Sequence, residues 1–325
     1  MTSPTHQPAV YSCSHVLLVE PNSFRFNEET SATNAFQHPA AGDISPEVAA
    51  ARAAQQHRAL QDLLAANGIL VTLCEADSQT PDAPFCNNWF STHPAMKGLR
   101  DAHGMMEEDV PPTVVIYPLM APNRRRERRT DLIDGLMRRL YPRVINMAHH
   151  EQRGVYLEST GSLCMHDAAR TVYAALSPRT DRELANAWAD KMGYRLIAFT
   201  AVDEAGSAYY HTNVMMFIGH GVAGVCLESI VNPAERKMVE QSLVETGLTV
   251  VPITRAQVNQ FCGNALSLTN ATGERLLVMS SRAWNAFTQQ QQATLSEQCR
   301  VLHTDLSMFE DLGGGSARCL IGELF

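Results

Sequence analysis

The residues best suited to chemistry fall in five short segments. They are Phe85 to His93 (FCNNWFSTH), Tyr117 to Thr130 (YPLMAPNRRRERRT), Leu157 to Ser162 (LESTGS), Tyr210 to Val214 (YHTNV) and Gly313 to Cys319 (GGGSARC). Each stands where an apolar run gives way to glycine, asparagine or a charge cluster, the loop positions on which α/β folds carry their sites. Between them they hold a thiol, an imidazole and a carboxylate on separate elements: Cys319, His211 and Glu158. Those are the parts of a nucleophile, a proton shuttle and an orienting acid. Cys319 follows a glycine loop whose backbone can approach a ligand and offer N–H donors. Arg318 beside it is expected to lower the thiol pKa and raise the thiolate fraction. His211, after Tyr209 and Tyr210 and before an apolar run, is expected at a strand edge, and Glu158 on a strand just before a turn. Taken one at a time, each has a plainer reading: a buried cysteine, a structural histidine, an exposed carboxylate.

The elements that would position these groups alternate between extended and helical patterns. Apolar, β-rich runs are expected as strands at 15–20, 69–74, 113–117, 154–157, 194–199, 214–218, 224–227, 248–252 and 275–279, and helices at 46–66, 131–140, 182–192, 234–245 and 281–296. Such alternation is that of an α/β protein. Linkers are short and polar, with no Pro/Ser-rich hinge, so residues 1–325 read as a single domain. Strand-strand-helix-strand units of similar length would suit a closed ring of repeats, although no repeat is visible as identity.

Composition narrows the class further. The chain has 325 residues, 45% apolar, with a net charge of −8, which argues against a general nucleic-acid binder. The first 20 residues lack a basic start, a signal-length apolar run and a small-residue cleavage site, and no run approaches a membrane span, so a cytoplasmic enzyme with no membrane partner is expected. Eight cysteines show no CxxC spacing, and reduced thiols are the default. His149-His150-Glu151 and His166-Asp167 invite a metal reading, but adjacent histidines cannot share a site from a regular helix and neither group has an i, i+4 partner; no metal and no cofactor is expected. The run Asn123 to Arg129 packs five arginines into seven residues. It reads as a solvated face, a holder of carboxylates or a contact between copies of the chain in a homo-oligomer. Trp89 and Phe90 read as site wall or core, and Asn264 in FCGN as a brace of its turn.

Taken in order, NNWFSTH, NRRRERR, LESTGS, SPRT, YHTNV, FCGN and GGSARC resemble the guanidine-modifying (pentein) superfamily of arginine deiminases and amidinotransferases, most closely its citrulline-utilisation hydrolases. The resemblance runs from PNSFRFNEET at Pro21 to the last residues. It implies a five-bladed α/β propeller of ββαβ repeats with the site on the central axis. It also implies that Cys319 is the nucleophile, His211 the histidine of a His-x-Asp motif and Glu158 the glutamate of a Glu-Gly-Gly-like turn. Arg179, in Ser177-Pro178-Arg179-Thr180, corresponds to an arginine that binds the substrate α-carboxylate, with Arg124 or Arg126 as a second.

Two departures bear on specificity. Where arginine deiminases hold the guanidinium with aspartates, this chain has Asn88 and Asn213. A guanidinium carries only N–H donors, which carboxylates suit; a ureido group adds a carbonyl acceptor, which a carboxylate repels and an amide N–H meets. Mispairing a buried polar group costs about 1–3 kcal/mol, enough for about 10-fold discrimination per contact. The expected activity is therefore hydrolysis of a ureido amino acid, citrulline to ornithine, carbon dioxide and ammonia, through a covalent cysteine intermediate. Alternatives are a deiminase or dihydrolase acting on arginine or a substituted arginine, and a non-catalytic ligand sensor on the same fold.

Overall fold

A computed structural model describes residues 13–39, 44–95 and 109–325. Its strands are short. β1 (His15–Val19) and β2 (Leu70–Cys74) lie in one sheet. β3 (Phe90–His93), β4 (Thr113–Ile116) and β5 (Arg143–Asn146) form a second, and β6 (Cys164–His166), β7 (Thr171–Ala175) and β8 (Arg195–Phe199) a third. β9 (Met216–Ile218), β10 (Val222–Val225) and β11 (Thr249–Pro252) form a fourth, and β12 (Leu266–Thr269), β13 (Arg275–Ser280) and β14 (Arg300–Thr304) a fifth; β15 (Gly322–Glu323) completes the first. In every sheet the middle strand is antiparallel to one neighbour and parallel to the other, as β4 is to β3 and β5. In the first sheet the middle strand is β1, antiparallel to β15 with Leu17 opposite Gly322 and parallel to β2.

A parallel pair cannot be joined by a tight turn and requires a crossover. Helical segments supply it each time: Pro46–Ala66, the stretch 130–140, Arg182–Met192, Pro233–Glu245, and the pair Ser281–Ala286 and Gln289–Gln298. Their starts are written in the sequence. Ser45, Asp181, Asn232 and Thr288 each accept a hydrogen bond from a first-turn backbone N–H, and prolines open two of the helices. Each cap contributes about 1 kcal/mol. The segment Arg182–Met192 buries Leu184, Ala185, Trp188, Ala189 and Met192 at helical spacing, and Trp188 Nε1 donates to Tyr117 Oη at 2.7 Å, tying the third sheet to the second.

What positions the site is a feature common to the five units. β9 lies against β6 on one side and β12 on the other, and β15 lies against β3. Immediately before these five strands the chain makes a short turn: Cys86–Asn88, Ser159–Ser162, Thr212–Met215, the turn closed from Asn264 N to Phe261 O, and Ala317–Leu320.

Several expected elements shift. Residues 154–157 are not a strand: Gly154 sits at φ 67 as the end of the turn Ala148–Arg153, and only Leu157 forms an isolated bridge, to Thr180. Of 214–218 only Met216–Ile218 is extended, because Thr212 Oγ1 bonds Ser162 O and starts a helical turn there. The 224–227 strand runs instead over Val222–Val225. The 281–296 helix is two helices, since Thr288 caps the second with Gln291 in a capping box. β3, β5, β6, β7, β12, β14 and β15 were not anticipated, being two to five residues long.

Candidate active site

The turns before β3, β6, β9 and β15 bring Asn88, Glu158, His211, Asn213 and Cys319 to one buried region, each 3% exposed or less. Glu158 is not on a strand; it precedes the turn Ser159–Ser162. Its Oε1 accepts from Met120 N at 2.9 Å, and its Oε2 lies 2.8 Å from His211 Nε2, 3.6 Å from Arg179 and 4.0 Å from Arg124. Burial pushes this carboxyl upward, but Arg179, the His211 hydrogen bond and Arg124 outweigh it and hold the pKa at about 2. An ionised carboxylate only accepts, so His211 Nε2 must carry the proton and Nδ1 the lone pair. Burial lowers the His211 pKa to about 4, against the opposing pull of Glu158, which leaves a neutral imidazole able to take a proton at Nδ1.

The turn after Glu158 has no room for side chains on its inner face. A Cβ on Gly161 would lie 2.6 Å from both His211 Nδ1 and Asn88 Nδ2. Ser159 adopts φ 45, a left-handed conformation unusual outside glycine, and its hydroxyl compensates by donating to Phe90 O at 2.7 Å.

Asn88 is held by Arg124. Arg124 Nη1 donates to Asn88 Oδ1 at 2.8 Å, while its other nitrogens pair with Glu127 at 2.8 and 2.9 Å. An arginine can only donate, so the amide must present its oxygen to Arg124 and its NH2 elsewhere. That Nδ2 is buried with no hydrogen-bond partner among the described residues. Asp82 Oδ1 is in the same condition, and Asp82 Oδ2 accepts from Asn27 and Thr30. Burial pushes the Asp82 carboxyl up, opposed by Arg124 and these two hydrogen bonds.

Cys319, His211, Asn88, Asp82, Arg124 and Arg179 line one cavity of about 10 Å³. The space holds about one water. Arg179 donates to Thr30 O and Thr33 Oγ1 and lies 5.1 Å from the Tyr210 ring centroid. Arg126 is exposed and lines a different pocket, beside Val19 and Cys74, so of the two arginines only Arg124 reaches this cavity. The rest of the run is bound within the chain: Arg125 donates to Leu119 O and Met120 O, Arg128 to Glu151, and Arg129 to Asp131 and Glu75 O.

Two expectations change at the sulfur. Arg318 points away from it, donating to Ile321 O and pairing with Glu323 at 2.8 Å. Burial pushes the Cys319 thiol above its ordinary 9.0, and hydrogen bonds and Arg318 only partly offset it. Asn213 directs Nδ2 to Cys319 Sγ at 3.6 Å and does not line the small cavity; it borders a larger one of about 310 Å³. Sequence reasoning missed Asp82 altogether and assigned Asn264 only to its turn. Among the described residues no group of three or more His, Cys, Asp or Glu is placed to hold a metal.

With its five three-stranded units, the chain is a guanidine-modifying (pentein) protein, as the comparisons show. Residues 20–325 match the model of the family described as N,N dimethylarginine dimethylhydrolase, eukaryotic. The chain belongs to that family, and with it to the hydrolases that act on carbon–nitrogen bonds. Similar solved structures include the N-terminal domain of a variant of ArgZ, an arginine dihydrolase from cyanobacteria, covalently bound to a reaction intermediate (TM-score 0.69, 16% identity, 96% of this chain and 97% of that one). A variant of AgrE with L-arginine is similar (TM-score 0.70, 16% identity, 96% of this chain and 40% of that one). So is a dimethylarginine dimethylaminohydrolase variant as its adduct with S-methyl-L-thiocitrulline (TM-score 0.60, 17% identity, 96% of this chain and all of that one). At these identities the likeness is one of fold. A search of curated proteins returns no match. No described helix is long and apolar enough to cross a membrane.

Proposed function

We propose that this chain hydrolyses a ureido amino acid, citrulline to ornithine, carbon dioxide and ammonia, at Cys319. The observation that carries the reading is the clamped amide of Asn88. With its oxygen engaged by Arg124, Asn88 offers the cavity only N–H, from a buried nitrogen that lacks a partner. A ureido oxygen satisfies that donor; a guanidinium, all donors, does not.

In the mechanism, His211 Nδ1 takes the thiol proton and Cys319 Sγ forms a bond to the ureido carbon. The carbon–nitrogen bond to the ornithine side chain then breaks, and His211 returns the proton to the departing amine. Glu158 stabilises the imidazolium in between, as its 2.8 Å contact with Nε2 allows. Water, deprotonated by His211, next attacks the S-carbamoyl carbon, and the thiol leaves with carbamate, which decomposes to carbon dioxide and ammonia. Arg124 acts through Asn88, which it holds, whereas Arg179 suits the substrate α-carboxylate and the free Asp82 oxygen its ammonium. The five units are read as the blades of one closed propeller domain with this site at its axis, working in the cytoplasm.

A second reading takes arginine or a methylated arginine as substrate. It is favoured by the family match and by Asp82, a carboxylate oxygen that could equally meet a guanidinium. Incubation of the purified protein with each amino acid separately, followed by measurement of citrulline, ornithine and ammonia, distinguishes them. Ornithine and ammonia from citrulline are expected; product from arginine alone would give the second reading the site.

A further inference from the structure

Four of the five turns that precede β3, β6, β9, β12 and β15 carry groups already assigned to the chemistry: Asn88, Glu158, His211 with Asn213, and Cys319. The remaining one, before β12, carries Asn264, and its side chain reaches the same point. Asn264 Nδ2 donates to Cys319 Sγ at 3.2 Å and to Asn213 O at 2.9 Å, while Oδ1 accepts from Arg318 N at 3.0 Å. Both ends of this amide are fixed by chemistry, since a backbone N–H can only donate to the oxygen and a backbone carbonyl can only accept from the nitrogen. The residue is 1% exposed, and its turn is clamped: a Cβ on Gly263 would come 2.2 Å from Val214 O. Thus a donor with no freedom to rotate is held against the sulfur.

We infer that Asn264 is a catalytic residue whose N–H stabilises the Cys319 thiolate, with Asn213 as the weaker second donor. The inference rests on Cys319 being the nucleophile and is independent of which substrate the site takes. Its physical basis is the position of the sulfur. Arg318, the nearest residue in sequence, spends its guanidinium on Glu323 and Ile321 O. With that guanidinium paired, Arg318 adds only a partial pull, and the N–H groups set directly on the sulfur, those of Asn264, Asn213 and the Ser316 backbone, favour the charged form most directly. It also follows that Asn213, positioned at the sulfur rather than in the substrate cavity, contributes to reactivity more than to the choice between ureido and guanidino groups.

The test is the pH dependence of Cys319 alkylation by iodoacetamide in the substrate-free enzyme. It is read by mass spectrometry of the peptide that contains Cys319 and compared among wild type, Asn264→Ala and Asn264→Asp. Loss of a hydrogen bond to a charged sulfur should move the inflection up by about one to two pH units in Asn264→Ala. Asn264→Asp keeps the acceptor for Arg318 N–H while removing the donors and adding a negative charge; it should move the inflection further, and because its second oxygen faces Asn213 O it should also lower the thermal transition. Catalysis should show kcat reduced about 10- to 100-fold with KM within about 3-fold. An unmoved inflection in a folded Asn264→Asp protein overturns the inference, as does a rise in KM at constant kcat. If alkylation of Cys319 in the wild type leaves activity intact, the assignment of the nucleophile fails instead, which keeps the two failures distinct.

Discussion

Cys319→Ala is expected to lower turnover of every substrate by about four orders of magnitude or more while leaving the fold intact. The loss is large because no other thiol can take over. The remaining cysteines of the sequence do not line the small cavity, and burial raises the pKa of Cys86 and Cys164 to about 12. The fold should survive because the sulfur makes few structural contacts. Asn264 Nδ2 keeps its bond to Asn213 O when Sγ is gone, so what is lost is its 3.2 Å contact to the sulfur, the long Asn213 contact at 3.6 Å and the Ser316 backbone contact. Removing one buried sulfur costs about 1 kcal/mol, or a few degrees in Tm for a chain of this size. Ammonia release and a thermal melt of the same preparation check both halves. Activity above about one per cent of wild type would remove Cys319 from the mechanism.

Asn88→Asp is expected to invert specificity. The carboxylate would still pair with Arg124, but it would turn an acceptor toward the cavity where wild type presents N–H. Against a ureido carbonyl this is a lone pair facing a lone pair, so kcat/KM for citrulline should fall about 10- to 100-fold. Arginine, which brings donors, should become the better substrate of the pair. A Thr, Ser or Ala at the same position should lose citrulline turnover without gaining arginine turnover. Citrulline kcat/KM within about 3-fold of wild type in Asn88→Asp would show that the amide is not the discriminating contact.

The candidate site was legible in the sequence wherever a reactive residue adjoined a break in apolar pattern. Cys319 follows glycines and Glu158 precedes Ser-Thr-Gly-Ser, so both announced themselves. Asp82 did not: within Thr-Pro-Asp-Ala-Pro an aspartate reads as a turn residue, and its role depends on Asn27, 55 positions earlier, and on Arg124. Asn264 likewise gains its meaning only from Arg318 N and Cys319 Sγ, 54 and 55 positions later. The arginine run illustrates a different obstacle. Consecutive arginines give no periodic signal, and only the turn Asn123–Glu127 decides that Arg124 is buried while Arg126 faces outward. Arg318 does pull the thiol pKa down, but too weakly to offset burial, because neighbours in sequence point apart on a helical turn and its charge pairs with Glu323.

The fold divides in the same way. The helices Pro46–Ala66 and Arg182–Met192 were visible to the residue, because capping side chains and 3.6-residue periodicity persist over many turns. Strands such as β6, Cys164–His166, and β15, Gly322–Glu323, are too short to develop a period-2 alternation. They are strands only because β7 and β1 pair with them.

The central claim, that Cys319 takes up a carbamoyl group from a ureido substrate, is tested most directly by rapid acid quench of the enzyme during turnover of citrulline and mass spectrometry of the peptide bearing Cys319. The account predicts an adduct of carbamoyl mass on that peptide, absent in Cys319→Ala. An adduct that retains the amino-acid skeleton, formed from citrulline or only from arginine, would contradict it.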